Sequence, residues 1–272
     1  MKTAQIRIAV AVLAMTGVGC TTITDAVLGG AEQAVGRTLT DRVEQSLYER
    51  LAPSADELAS TGDLPGPDTV MWANFMVSQA QIMFAIGFTA TGYQLEDNSY
   101  SAGEYAVFRI EDTDMEAEEL LIERALLGTD GAGNQWWRLS WSDDEETWAY
   151  EGLLDPEQQL LVELWAADPE GSVQQIAVSE DFTVTMPSQS LPDEAMRDAS
   201  RSQESIETPA GTFEAEALRL SDPESDAEAV WWLVPTVPGG LVRYRADEPN
   251  GTFWSSTLVE FGAGATSEFG VF

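Results

Sequence analysis

Histidine, the commonest general base, is absent from this sequence, and cysteine occurs once, as Cys20. That removes zinc sites built from imidazole and thiolate, and nucleophiles activated by a neighbouring histidine. No Walker loop and no GxGxxG opens a βα unit, so no nucleotide cofactor is implied, and no other cofactor is assigned. Carboxylates are the abundant reactive type, with 47 Asp and Glu. Two of them flanking a glycosidic bond would suffice for glycan hydrolysis. With so many acids such a pair can be drawn anywhere, so the count singles out no catalytic residue. Two clusters, Asp112-Asp114-Glu116 and Asp143-Asp144-Glu145-Glu146, have calcium-type oxygens, but neither has the glycine-punctuated loop of a dedicated site. Solvated acidic loops account for both, and no metal ligand is assigned. The more informative side chains are the nine tryptophans. In β proteins such rings fill cores; here the other reading is a concave site for acyl chains or sugars, with Trp231, Trp232 and Tyr244 as its binding residues.

Cys20 has its own chemistry. Residues 1–20 read MKTAQIRIAVAVLAMTGVGC, with Lys2 and Arg7 as a positive start, Ile8 to Met15 as an apolar stretch and small residues before the cysteine. This is the layout of a secretory signal, residues 1–19, removed from the mature chain. A lone cysteine at the cleavage boundary resembles the lipobox of bacterial lipoproteins. Gly19 fits the position before the cysteine, while Gly17 stands where that family prefers leucine. The resemblance implies a lipid-modified Cys20 at the new N-terminus. Thr21 in place of aspartate points, by the family's sorting rule, to the outer membrane, with the chain facing the periplasm or the cell surface. Acyl chains add roughly 0.8 kcal/mol per buried CH₂, enough for several chains on one cysteine to anchor the protein. Plain secretion with a free thiol is the alternative.

The charge balance argues against polyanionic partners. Asp and Glu outnumber Lys and Arg 47 to 13, for a formal net charge of −34, and Lys2 is the lone lysine. Nucleic acid and anionic headgroups are both disfavoured as partners. Such an excess also suits a high-salt habitat, where the Debye length shrinks to ~3 Å at 1 M. The membrane enters as a partner through the anchor, not through charge.

Residues 20–62 read as tether and helix. Val35, Leu39, Val43, Leu47 and Leu51 recur every fourth position, opposite Arg37, Asp41, Arg42, Gln45, Glu49 and Arg50, and Pro53 ends the run. That amphipathic helix either packs on its own domain or faces a partner or the membrane near Cys20. The linker Thr61 to Pro67 leads into a domain placed at 63–272. Thr69 to Leu95 carries no charge, yet its polar residues and acidic flanks argue against a membrane span. Ile82, Phe84, Ile86 and Phe88 alternate with small residues, predicting a strand at the centre of the core.

From Tyr100 onward, apolar runs alternate with turn signals. Strands are predicted at Tyr105–Ile110, Leu120–Leu127, Trp136–Trp141, Trp148–Leu154, Leu160–Trp165, Val173–Val178 and Phe182–Met186. A polar loop follows at 188–204, with a short helix at Asp193 to Ser200. Further strands begin at Phe213 and Val230, and the stretch VWWLVPTVPGGLVRYR (Val230 to Arg245) reads as strand, rigid corner, glycine hinge, strand. Along Leu241 to Arg245, alternation puts Leu241, Arg243 and Arg245 on one face and Val242 and Tyr244 on the other. Asn250-Gly251 predicts a type I′ hairpin. Two copies of "turn, strand, Trp-Trp strand", at Ala102–Trp137 and Ala210–Trp232, suggest a duplication. The fold class is mainly β: an antiparallel curled sheet or half-barrel with an N-terminal amphipathic helix.

The Thr208-Pro209-Ala210-Gly211-Thr212-Phe213 opening and the Val237-Pro238-Gly239-Gly240-Leu241-Val242 corner resemble uncharacterised secreted bacterial proteins whose domains are similar to the lipoprotein-carrier half-barrel. The resemblance covers residues 205–262 and implies an antiparallel sheet curled around an apolar concavity, in the cell envelope. The leading functional reading is a non-enzymatic envelope lipoprotein that holds an apolar ligand or an envelope protein. The alternative is a carboxylate-dependent hydrolase acting on envelope glycans. The anchor is directly testable: with a metabolic fatty-acid label, the parent protein should label and Cys20→Ser should not. Equal labelling of both refutes acylation at Cys20.

Overall fold

A computed structural model of the chain describes residues 80–88, 90–92, 100–113, 120–178, 199–221 and 227–272. The signal at 1–19, Cys20, the 35–51 helix, the boundary at 63 and the predicted strand at Phe182–Met186 lie outside them. The described residues hold eleven strands: β1 (Glu104–Asp112), β2 (Leu120–Thr129), β3 (Gln135–Ser142), β4 (Thr147–Asp155), β5 (Leu160–Ala167), β6 (Val173–Ile176), β7 (Ser200–Thr208), β8 (Gly211–Ser221), β9 (Glu228–Leu233), β10 (Leu241–Asp247) and β11 (Phe253–Ala263). They form one open, curled antiparallel sheet in the order β6-β5-β4-β3-β2-β1-β11-β10-β9-β8-β7. Two meanders, β1 to β6 and β7 to β11, therefore meet at a single central ladder, β1 with β11. The antiparallel fold class expected from the turn spacing is what the chain adopts.

The hairpins have a common chemistry. At Asp130–Asn134, Asp168–Ser172 and Glu248–Thr252 the first residue's N–H donates to the fifth residue's carbonyl, and the fourth residue's N–H donates back to the first carbonyl. At the last of these the type differs from the expected one. Only Gly251 has positive φ (88°), because Pro249 fixes its own φ near −65° and so selects a type I turn closed by a glycine bulge.

Residues 80–88 are a helix, not the expected strand. Its buried positions come in pairs, Ala80-Gln81, Met83-Phe84 and Gly87-Phe88, which is the 3.6-residue period of a helix pressed on one side. The period-two impression arose because small residues happened to fall between Ile82, Phe84, Ile86 and Phe88. The expected centrality is real, since Met83, Phe84 and Phe88 are almost wholly buried against one sheet face. Close approach needs two glycines. A Cβ at Gly87 would lie 2.8 Å from Leu139 Cδ1, and one at Gly152 would lie 2.5 Å from Phe84 Cζ. Phe88 packs edge-on against Trp137 at 5.3 Å between ring centroids, and Tyr100 meets the same indole at 5.2 Å.

The opposite face is covered too, over β2 to β4, by the C-terminal residues 264–272. Ala265 and Val271 pack with Ala125, Leu127, Trp136 and Leu153, a second small core. Trp136 and Trp137 are both buried for this reason: each faces a different cover. Glu151, fully buried, accepts hydrogen bonds from the Ser267 hydroxyl and the Glu268 N–H, each at 2.7 Å. Arg138 donates to the Thr266 carbonyl at 2.9 Å and pairs with Glu123 and Glu268.

Three further expectations change. Residues 200–204, read as loop and helix end, begin β7; this edge strand is polar on both faces, so it has no apolar alternation to betray it. The duplication fails, because β1 is separated from the Trp-Trp strand β3 by β2, whereas β8 is followed directly by its Trp-Trp strand β9. The strict alternation after the corner fails as well. The register shifts between Leu241 and Arg243, so Leu241 lies opposite Leu233 while Tyr244 lies opposite Trp231. Val242 is the extra residue of a bulge, and Leu241, Val242 and Tyr244 all enter the core.

The corner itself is two linked turns: Val237 N–H donates to Val234 O at 3.1 Å and Gly240 N–H to Val237 O at 2.8 Å. Gly239 and Gly240 have φ of 73° and 70°. Gly240→Val should therefore lower unfolding free energy by more than ~1 kcal/mol in denaturant titration. Gly131→Ala, where a Cβ meets nothing within 4 Å, is the matched control and should be close to neutral.

Candidate functional site

The candidate site is the helix-covered face. Antiparallel partners share a face, so the ladders place Phe108 beside Ile122, Ile122 beside Trp141, Ser256 beside Tyr244 and Tyr244 beside Trp231 on this one surface. Trp231 and Tyr244, two of the residues read as binding, are together here: both are buried, with ring centroids 5.1 Å apart. Gly92 runs so close above them that a Cβ there would lie 2.7 Å from Tyr244 Cβ. The Trp231 indole N–H is buried without an acceptor. Beside Ala80, Trp148, Tyr150 and Ile176 a cavity of about 10 Å³ remains, space for about one water. Helix 80–88 thus fills the concavity that the curl of the sheet creates.

The helix is fastened at its C-terminal end. Backbone carbonyls there have no intrahelical donor, and the sheet supplies donors. Arg124 Nη1 donates to Phe88 O at 3.0 Å, Trp254 Nε1 to Ala90 O at 2.9 Å, and the Ser256 hydroxyl to Thr91 O. One turn earlier Trp141 Nε1 donates to Met83 O at 3.2 Å. Arg124 is fully buried, and its cation sits where the helix dipole is negative. Its guanidinium carbon lies 5.3 Å from the Phe108 ring centroid and 5.9 Å from that of Tyr100. Burial pushes the Tyr100 hydroxyl's pKa up, against the lowering pull of Arg124 beside it, so it stays a neutral donor. Arg124 and Tyr100 carried no motif, and a single arginine inside an apolar strand was the signal that could have found them.

Trp232 is not part of this arrangement. It lies on the opposite face, opposite Ala217 and Arg243, and its indole donates to Glu204 Oε2 at 2.9 Å. Arg243 on that face donates to the Thr257 hydroxyl at 3.1 Å, and Arg245 is held by Asp247 through two bonds of 2.7 and 2.6 Å. Of the two acidic clusters, Asp114 and Glu116 lie outside the described residues. In the other, Asp143 Oδ1 accepts the N–H groups of Glu145 and Glu146, an Asx turn closing the β3–β4 hairpin. Among the described residues no three His, Cys, Asp or Glu are grouped to hold a metal ion, and no helix is long and apolar enough to cross a membrane.

No protein-family model and no curated protein matches the chain. Among solved structures it is similar to MucB in complex with MucA(peri), with 12% identity over 64% of this chain and 55% of that one, at a TM-score of 0.39. The chain thus spans about half the length of that relative. It is also similar to a protein with a YmcC-like fold from Bacteroides fragilis, with 10% identity over 60% of this chain and 97% of that one, at a TM-score of 0.32. A DUF1329 family protein from Desulfovibrio piger matches with 12% identity over 63% of this chain and 88% of that one, at a TM-score of 0.26.

The Trp232 contact predicts a pH effect. The Trp232 indole, the Ser202 hydroxyl and the Arg219 guanidinium hold the Glu204 carboxyl below its ordinary 4.5. A depressed carboxylate pKa contributes stability that is present above the ordinary value and lost as pH falls through the lowered one. Trp232→Phe should therefore raise the Glu204 midpoint in a carboxyl NMR titration. Its stability deficit relative to the parent should shrink as the pH drops below 4.5.

Proposed function

We propose that this chain is a lipoprotein of the outer membrane, anchored through Cys20, whose β domain holds an apolar ligand on the helix-covered face. The observation that carries this reading is the lining of that face. Phe108, Ile122, Leu139, Trp141, Trp231 and Tyr244 come from five different strands and are buried on the one face that helix 80–88 and Gly92 just after it pack against. A chain of methylenes or a partner's apolar segment taking the helix's place would meet the same side chains, at roughly 25 cal/mol per Å² of apolar surface covered. Trp231 and Tyr244 are the binding residues kept from the sequence reading; Trp232, on the other face, is engaged with Glu204.

Hydrolysis draws no comparable support. The buried carboxylate Glu151 is engaged by Ser267 and Glu268, and Glu123 is paired with Arg138. The full chain carrying Cys20→Ser, purified without detergent, should retain lipid from the cell envelope as a mass increment in native mass spectrometry. Trp231→Leu should reduce that retention further than its loss of stability explains, and Trp232→Leu should not. A protein that carries no lipid, and takes up none when acyl ligands are added, overturns the ligand reading.

A further inference from the structure

Three arginines of the sheet show their Nε and Nη2 groups, the edge of the guanidinium that offers two parallel N–H bonds, in different states. Arg138 turns that edge to Glu123 Oε1, at 2.9 and 2.5 Å. Arg245 turns it to the two oxygens of Asp247, at 2.7 and 2.6 Å. Arg124 spends Nη1 on the Phe88 carbonyl, while its Nε and Nη2 are buried with no acceptor. The Tyr100 hydroxyl is buried beside the same guanidinium, which lowers its pKa against the effect of burial, and its own proton has no acceptor. Both groups are on the apolar, helix-covered face.

Chemistry narrows what this edge takes. Two parallel N–H donors match the two oxygens of a planar carboxylate, the pairing that Arg245 makes in this same sheet. A doubly charged phosphate would bring one negative charge more than this cation offsets, into surroundings made of the Tyr100, Phe108 and Trp137 rings. The chain has 47 acidic side chains against 13 basic ones, yet Arg124 forms no ion pair with a carboxylate of the described residues. A buried cation in that condition gains from any anion that reaches it with an apolar body able to remain in the core.

We propose that the Nε–Nη2 edge of Arg124, with the Tyr100 hydroxyl beside it, receives the carboxylate of a single-chain amphiphile such as an ionised fatty acid, whose apolar chain takes the place of helix 80–88 along that face. This rests on the ligand reading above and adds the headgroup to it. The phenol stays protonated when buried and so donates to the anion.

The test compares 12-bromododecanoate with its methyl ester at pH 8, on the full chain carrying Cys20→Ser, by bromine quenching of tryptophan fluorescence. The two ligands share the chain and the quencher and differ in the headgroup charge. The acid should half-saturate at a concentration at least about tenfold below the ester's, the range expected for hydrogen bonds to a charged group. Arg124→Gln should bring the two curves together, and Arg124→Lys should keep part of the preference. The parent protein alone decides the matter if a variant fails to fold. Equal affinity for acid and ester in the parent overturns the Arg124 receptor and leaves an apolar-ligand face standing. Quenching by neither overturns both.

Discussion

The hydrogen bonds at the end of helix 80–88 are the constraint on which the rest of this molecule depends. Eleven strands in one open sheet have a central joint, the β1–β11 ladder, which among the described residues is the one ladder that connects the two meanders. The donors that reach the helix come from both sides of that joint. Arg124 and Trp141 stand on β2 and β3, and Trp254 and Ser256 on β11. Each carbonyl buried without such a donor would cost on the order of 1–3 kcal/mol, a large fraction of a domain's net stability. The helix is therefore both the lid of the apolar face and a brace across the joint. The residues after β11 brace the other face in the same sense, running from the second meander onto β2 to β4, where Glu151 and Arg138 of the first meander hold them.

This double bracing explains four of the tryptophans. An indole combines a large apolar ring with one donor, which suits a sheet whose core contacts end at a helix terminus. Trp141 and Trp254 use both properties at once, packing in the core and donating to a helix carbonyl. Trp136 and Trp137 divide the work, one under the C-terminal residues and one under the helix. Trp165 and Trp232, half-buried, donate instead to a glutamate, Glu163 on the same strand and Glu204 two strands away.

Much of the architecture was legible because antiparallel strands announce themselves by turn chemistry. Pro169-Glu170-Gly171, Pro249-Asn250-Gly251 and Pro238-Gly239-Gly240 each mark a place where few residues fit. What was not legible is what alternation conceals. In Ile82 to Phe88 small residues between large ones satisfy a two-residue and a 3.6-residue period alike, and only the pairing of buried positions against a real sheet decides between them. In β7, Ser200 to Ser205 has no apolar face because an edge strand need not have one. The bulge at Val242 is a tertiary matter: the corner delivers the chain one residue out of step, and no local preference records that. For the site, Trp231 and Tyr244 stand out in the strands that carry them, β9 and β10, and they do share one buried face. Arg124 offered only a lone arginine in an apolar strand, because its setting lies in Phe88, Tyr100 and Phe108, which reach it from other segments.

The two faces handle buried charge in opposite ways. Under the C-terminal residues, Arg138 is met by Glu123 and Glu268, and Glu151 by Ser267 and the Glu268 backbone, so each buried ion has the partners that make its burial tolerable. Such a network fixes one arrangement and leaves nothing for a ligand to gain. On the helix-covered face, Arg124 has one carbonyl and two aromatic rings, and Trp231, beside Tyr244, an indole N–H with nothing to receive it. A buried ion without a counter-ion costs on the order of several kcal/mol, and a sheet selected for stability alone would place an apolar residue there. In a chain so rich in carboxylates, a core cation without a counter-ion among the described residues is the feature on which the proposed ligand reading turns.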